Sequence, residues 1–471
     1  MDDDGYLRSF TELSREHGFE PLTTEGTIPR ALSGTMYRDG PGLFSIAGHR
    51  YEHWFDGDGL ISALRLTEGR ADGACKLVAS RGLVEERRRG AAYYGSYGTK
   101  PPGRWSPWRA FRFVREGGKN PANTSMLTWN ERLFALCEVG LPTEIDPDTL
   151  ETIGETDFEG AVARPFSAHP HRHASTGALY NVGVRIGRPN AIDLILMRPD
   201  GTAGRVATIP LAFPTLVHDF ILTEKHAVVL VAPLEIGLAR VLFGRTSFAG
   251  SMTWNADRAT EVIVIPLDAP AEPIRFEVDP FWVWHVGNAF ERDGKIVADV
   301  VRYESFSNSA RWLEGVMHGT PGAADGYLAR LTIDPTHRSL TSERLRERTG
   351  EFPRVAPNDD ARPYRTTILL EHSDAAAGRR GPPNVLLKLD LESGATDEHR
   401  FEPHEWPSEG VFVPVDAGYV ISLVYDARTH RSAWWIFDAR RIADGPVARA
   451  HLTHHVPLGF HGAWRGTSSA R

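Results

Sequence analysis

Residues 289–301 read AFERDGKIVADVV. Two β-prone runs flank Asp293-Gly294, a pair suited to the left-handed backbone of a two-residue hairpin turn. The stretch therefore predicts an antiparallel hairpin. Working outward, similar runs recur toward the N-terminus: TEVIVIPL (260–267), HAVVLVAP (226–233), AIDLILMR (191–198), ALYNVGVRI (178–186), RLFALCEV (132–139), KLVASRGLV (76–84) and GTMYRDG (34–40). Toward the C-terminus lie YLARLTID (327–334), NVLLKLDL (384–391), VFVPVDAGYVISLVYD (411–426) and SAWWIFDA (432–439). Each is rich in Val, Ile, Leu or aromatic residues and is bounded by turn formers. Amphipathic helix patterns are scarce, and the two candidates are Tyr6–His17 and Leu234–Phe243.

Many short strands without a break in composition predict an all-β chain. The 45 glycines and 32 prolines are spread throughout, so no single linker divides it. Seven four-stranded blades fit 471 residues at about 67 residues each. Without a strict repeat, pattern alone leaves a propeller and a large sandwich both open.

Composition excludes several classes. Lys+Arg number 53 against 61 Asp+Glu, a net charge of -8, which argues against a nucleic-acid binder. Cys75 and Cys137 are too few for a disulfide framework and suit a reducing compartment. The first residues, MDDDGYLRSF, are acidic and lack the apolar core of a secretory signal. No run of about 18 apolar residues occurs. These features predict a cytoplasmic protein.

The unusual count is histidine, at 19. Four sit in apolar or small-residue surroundings beside strand-like runs: His169 in FSAHPH, His218 in LVHDFILT, His285 in WVWHVGNAFE and His461 in GFHGAW. They are too far apart for a local finger-type motif, so only the fold can bring them together, as a propeller axis would. Four neutral imidazoles suit a borderline divalent metal such as Fe, Zn, Cu or Ni. Ligating imidazoles usually donate their second N–H to a carboxylate or carbonyl. Three glutamates in apolar strands are candidates for that role: Glu138, Glu351 and Glu409. A single histidine on an apolar strand is most often a hydrogen-bonded core residue. His169, His171 and His173 alternate along one strand face, and His451, His454 and His455 read as polar loop residues.

At these residues the chain resembles the carotenoid cleavage oxygenase family. The resemblance is carried by GTIPRALSGTMYRDGPGLF (26–44), HWFDGDGLISALRL (53–66), NPANTSMLTWNERLFALCEVGLPTEIDPDTLETIG (120–154), AHPH (168–171), HDFILT (218–223), WHVGNAFE (284–291), EFPRV (351–355), PSEGVFVP (407–414) and FHGAW (460–464). Nine motifs in family order cover about residues 26–464. The resemblance implies a seven-bladed β-propeller with a helical and loop cap: an N-terminal helical or irregular segment over 1–25, then a single propeller domain over 26–471 with inserted cap loops that include 232–252. It implies one Fe(II) on the axis held by His169, His218, His285 and His461. Glu138 would pair with His218, Glu351 with His285 and Glu409 with His461, leaving His169 without a carboxylate. Thr124 matches a position that crowds one open iron site in many relatives and helps direct O2 to the other. The implied reaction is oxidative scission of a C=C bond with O2 as co-substrate, giving two carbonyl fragments.

Relatives that cleave phenolic stilbenes or phenylpropenes typically carry a Lys just before the first of these glutamates, helped by an upstream Tyr. Here Cys137 stands at the Lys position, and Tyr97 falls near the Tyr. Losing the cation removes selection for a phenolate. The favoured substrate is thus a small hydrophobic polyene of the apocarotenoid kind. The alternatives are a stilbenoid or phenylpropene, a non-catalytic carotenoid- or retinoid-binding propeller, and, on the residues without the family, a zinc hydrolase. Phe55, Trp284 and Phe352 adjoin the motifs and are candidates for an aromatic substrate wall. The segment APLEIGLARVLFGRTSFAGSM (232–252) is an expected peripheral membrane contact or a helix packed on the propeller. Nothing in the chain points to an obligate protein partner.

Overall fold

Strands Trp282–Arg292 and Lys295–Tyr303 pair antiparallel, with Arg292 opposite Lys295. The turn residues Asp293 and Gly294 have φ of 52° and 75°, the left-handed geometry their sequence predicts. This hairpin is one half of one blade. The computed structural model describes residues 5–467 apart from 104, 109, 110, 112–114, 116, 163 and 164.

Seven antiparallel sheets form the blades of a β-propeller. Numbered from the inner strand outward in chain order, blade 1 begins at Ser125–Trp129, blade 2 at His171–Arg172, blade 3 at Ile221–Leu222, blade 4 at Trp282–Arg292 and blade 5 at Gly350–Arg354. Blade 6 begins at Glu405–Pro407 and Val411–Val413, and blade 7 at Gly462–Gly466. The ring is closed twice. The C-terminal strand Gly462–Gly466 pairs with Gly34–Leu43, and Thr23–Gly26 adds an outer strand to blade 6 beside Pro446–His451.

The core is distributed among the blade seams. Met36, Leu64, Ile421 and Trp434 fill the seam between blades 6 and 7. Val182, Ile192, Val229 and Ile263 fill that between blades 2 and 3. Side chains alternate along each strand, so both faces of a blade are buried against neighbours while its innermost strand lines the axis.

Four local readings change. KLVASRGLV is not one strand: the strand ends at Leu77, and Arg81–Arg89 is a helix. Ser80 caps it, its hydroxyl oxygen accepting from Leu83 N at 3.3 Å, and Gly90 ends it at φ 63°. Over Tyr6–His17 only Gly5–Phe10 is helical, as a 3-10 turn. The segment 1–25, expected as helical or irregular, also carries the strands His17–Pro21 and Thr23–Gly26, both paired into blades. Leu234–Phe243 divides into a strand Leu234–Ile236, paired with Met252–Trp254, and a short helix Leu238–Leu242. A helix absent from the sequence reading spans Phe306–Val316 and packs Phe306 against Trp282 and Trp284.

Candidate metal centre

The four histidines of the sequence reading come from four blades. His169 precedes the inner strand of blade 2, His218 that of blade 3 and His461 that of blade 7, while His285 lies within the inner strand of blade 4. His461 is placed by two glycines. A Cβ on Gly40 would stand 2.4 Å from Gly459 Cα, and one on Gly459 would stand 2.7 Å from Asp39 O. The return loop therefore lies flat on strand Gly34–Leu43, where Phe460 N donates to Asp39 O and Asp39 N to His461 O.

The rings converge through Nε2. His169 and His218 approach to 2.9 Å, His218 and His285 to 3.3 Å, and His285 and His461 to 3.1 Å. The Nδ1 sides meet carboxylates: His218 and Glu138 at 2.5 Å, His285 and Glu351 at 2.5 Å, His461 and Glu409 at 2.9 Å. His169 has no such partner among the described residues. A carboxylate only accepts, so these three Nδ1 atoms carry the ring protons and the Nε2 lone pairs point at one another. That arrangement is repulsive unless a cation lies between. Nitrogens bound to one ion at about 2.0–2.1 Å stand about 2.8–3.4 Å apart over the usual angles, so the residues present fit a divalent metal. The three carboxylates outnumber the two guanidinium groups near Glu409, the buried Arg38 and the partly exposed Arg354.

Electrostatics favour the neutral ring at two of the ligands. Burial and the neighbouring rings drive His169 well below the usual imidazole range, and burial lowers His461 to about 4. Burial acts against charge at His285, but the Glu351 carboxylate outweighs it and pulls that ring up. Burial would raise Glu138, Glu351 and Glu409, yet the facing imidazoles, with Arg354 at Glu409, hold all three below the ordinary range.

The glutamates are themselves held. Glu351 accepts from Tyr303 OH and from Phe352 N at 2.9 Å. Glu409 accepts from Arg354 at 2.7 and 3.2 Å and from Gly462 N at 2.9 Å. Behind the rings Asp219 accepts from His171 Nε2 at 2.8 Å and Val286 N at 2.7 Å. Sequence reasoning missed Tyr303, Arg354 and Asp219. Asp219 adjoins His218 and Arg354 lies in EFPRV, so both stood inside noticed motifs. Tyr303 had no signal.

A cavity of about 940 Å³ reaches this centre. His218, His285 and His461 line it, as do Glu138, Glu351 and the candidates Thr124, Phe55, Tyr97, Cys137, Trp284 and Phe352. Phe55 packs against Tyr97 at 5.2 Å and Trp284 at 6.2 Å, and Phe352 stacks on His285 at 5.5 Å. Thr124 donates its hydroxyl to Asn123 Oδ1 at 3.1 Å, and its carbonyl accepts from His461 N at 3.1 Å. Burial pushes the Cys137 thiol up to about 12, so it is a neutral wall. Lys119 also lines the cavity, but its ammonium is taken by Asp58 at 2.6 Å, Glu86 at 2.8 Å and Tyr51 OH at 2.7 Å. Leu238, Ala239, Val241 and Leu242 form part of the lining, so the segment 232–252 helps build the cavity. Trp105 lines the cavity and packs against Phe243 at 5.6 Å, and both are exposed, as are Trp108 and Phe111. No helix among the described residues is long and apolar enough to cross a membrane.

A seven-bladed propeller with four imidazoles converging on its axis defines a class of protein able to hold a divalent metal at the end of an apolar cavity. Comparison with known proteins narrows the class. The family model described as retinal pigment epithelial membrane protein matches residues 10–466. The apocarotenoid-15,15'-oxygenase of Synechocystis sp. is 33% identical over 98% of this chain and 96% of its own length. The isoeugenol monooxygenase of Pseudomonas putida is 28% identical over 94% of each chain. The crystal structure of cobalt-substituted Synechocystis ACO superposes with a TM-score of 0.88 at 31% identity over 99% of both chains. The chain belongs to the carotenoid cleavage oxygenase family.

Proposed function

We propose that the chain is an iron(II)-dependent dioxygenase that splits a C=C bond of an apocarotenoid-like polyene, with His169, His218, His285 and His461 as the iron ligands. The observation that carries this reading is the convergence of four Nε2 atoms at the end of a large, aromatic-walled cavity. Bound iron would supply O2 activation, and four protein ligands on a six-coordinate ion leave room for it. The overall reaction balances without an external reductant: one alkene and one O2 give two carbonyl products.

The protein's own residues supply binding and orientation. Glu138, Glu351 and Glu409 fix the tautomers and ring planes of three ligands. Thr124 lines the cavity beside the loop that carries His461 and narrows access on that side. Phe55, Tyr97, Trp284 and Phe352 offer flat π-faces to a conjugated chain and can stabilise positive charge developing along it. The volume lies near the top of the roughly 300–1,000 Å³ range of small-molecule sites, which suits an elongated polyene. Cys137 is neutral and Lys119 is already paired, so neither offers a cation to a phenolate. The exposed Trp105 and Phe243 at the cavity wall provide a surface for peripheral contact with a bilayer holding such a substrate.

The test is aerobic turnover by protein loaded with iron without oxygen, on apocarotenals beside resveratrol-type stilbenes, with products read by mass spectrometry. The reading predicts aldehydes from apocarotenals. Cleavage of stilbenes alone would overturn the substrate, and no cleavage of either by iron-replete protein would favour a binding role.

A further inference from the structure

A second group of metal-ligating side chains lies away from the axis. His17, Cys75 and His454 each offer a ligand atom, and these atoms all lie within 4.8 Å of one another. All three residues are buried, at 8%, 0% and 7% exposure. His454 thus lies in a loop, as its sequence suggests, but a buried one, while His451 ends the strand Pro446–His451. His17 stands directly opposite Cys75 in the ladder between His17–Pro21 and Arg70–Leu77, the two outermost strands of blade 7. His454 arrives from the segment between Pro446–His451 and Gly462–Gly466.

The proton positions are decisive. His17 Nδ1 lies 2.9 Å from Gly18 O, and His454 Nδ1 lies 2.8 Å from His455 O. A carbonyl only accepts, so both Nδ1 atoms carry hydrogen. The two Nε2 atoms face each other at 2.9 Å, and in neutral rings each presents a lone pair. Such a contact needs a cation or a shared proton between its halves. The axial site has the same signature, with carboxylates in place of carbonyls.

We propose that His17, Cys75 and His454 form a second metal site for a thiophilic divalent cation of the Zn²⁺ type. Two imidazoles and one thiolate are a donor set such a cation prefers, and the two carbonyls fix the ring tautomers. On binding, the Cys75 thiol releases its proton to solvent and the sulfur lone pair forms the bond to the metal, so one proton leaves per cation. Glu20, with its Oε1 3.6 Å from His17 Nδ1, is already paired with Arg15 at 2.7 and 2.6 Å, so a bound divalent cation keeps one net positive charge. Three protein donors leave one position of a four-coordinate cation for water. The site joins residue 17 to residue 454 where the propeller closes, seven positions before His461. Its role is to clasp the two chain ends and restrain the loop that carries the last axial imidazole. It does not depend on the proposed substrate or on the axial ligand assignment.

The experiment is Zn²⁺ titration of the full-length, iron-loaded chain, with both metals counted by mass spectrometry and melting temperature followed in parallel. The expected result is one Zn²⁺ per chain at micromolar metal with the iron retained, a raised melting temperature, and at least 100-fold weaker uptake in Cys75→Ser. Co²⁺ in the same site should show a thiolate-to-metal charge-transfer band that Cys75→Ser lacks. The His218→Ala chain should still take up one Zn²⁺, which separates this site from the axial one. Zn²⁺ entering only by displacing iron, no uptake at micromolar metal, or undiminished uptake in Cys75→Ser would each overturn the proposal.

Discussion

Arg354 grips Glu409 through two nitrogens, at 2.7 and 3.2 Å, while the same carboxylate accepts from His461 Nδ1 at 2.9 Å. One buried anion thus balances a guanidinium on one side and orients an imidazole on the other. Glu138 faces only His218 with its side-chain oxygens among the described contacts. The two glutamates therefore differ in what their removal exposes. Glu409→Gln leaves the partly exposed Arg354 without its charge partner and should cost about 1.5–3 kcal/mol of stability as well as metal affinity. Glu138→Gln should weaken metal binding with a much smaller loss of stability. Thermal unfolding of the two metal-free variants checks this, and equal melting temperatures would refute it.

Glu351 accepts from both His285 and Tyr303. Glu351→Gln should keep the fold and weaken iron affinity by about 10–100-fold. Tyr303→Phe leaves the carboxylate in place and should weaken it less. Competition with a calibrated chelator measures both, and unchanged affinity in Glu351→Gln would remove the orienting role.

Cys137 is a buried neutral thiol in the cavity wall. Cys137→Lys introduces a donor beside Glu138. A charged hydrogen bond to a phenolate is worth about 1.5–3 kcal/mol, so turnover of phenolic stilbenes relative to apocarotenals should rise at least about tenfold. Competitive turnover of mixed substrates gives the ratio directly. An unmoved ratio would mean that this position does not set selectivity.

Burial lowers His372 to about 4 and His53 to about 3, both away from the axial rings. Their unfolded counterparts titrate near 6.5. The unfolded chain thus binds protons first as pH falls, so stability is complete above about 6.5 and declines toward 4. At about 1.4 kcal/mol per unit, each ring costs about 2–3 kcal/mol between pH 7.5 and 4.5. Urea unfolding of His372→Gln over that interval should show a loss smaller by about 2 kcal/mol than wild type. An identical pH slope would contradict the assignment.

The strands were legible because their information is local. Asp293-Gly294 declares its turn, and SAWWIFDA declares its burial, within a few residues. The helix Arg81–Arg89 also carried local signals, Ser80 and Gly90, but the apolar run before it masked them. The axial histidines and glutamates stood out as polar residues in or beside apolar runs, although only His285 and Glu351 lie within strands. Arg354 did not, because its meaning depends on a carboxylate 55 positions away. Likewise His17, Cys75 and His454 look ordinary apart, and only strand register and ring closure join them.

The central claim is that four imidazoles from four blades hold one iron. The most direct test is the iron content of His218→Ala beside wild type, each loaded without oxygen and checked for an unchanged circular-dichroism spectrum. The account predicts one iron per wild-type chain and essentially none in the variant. A folded His218→Ala chain that keeps stoichiometric iron would contradict it.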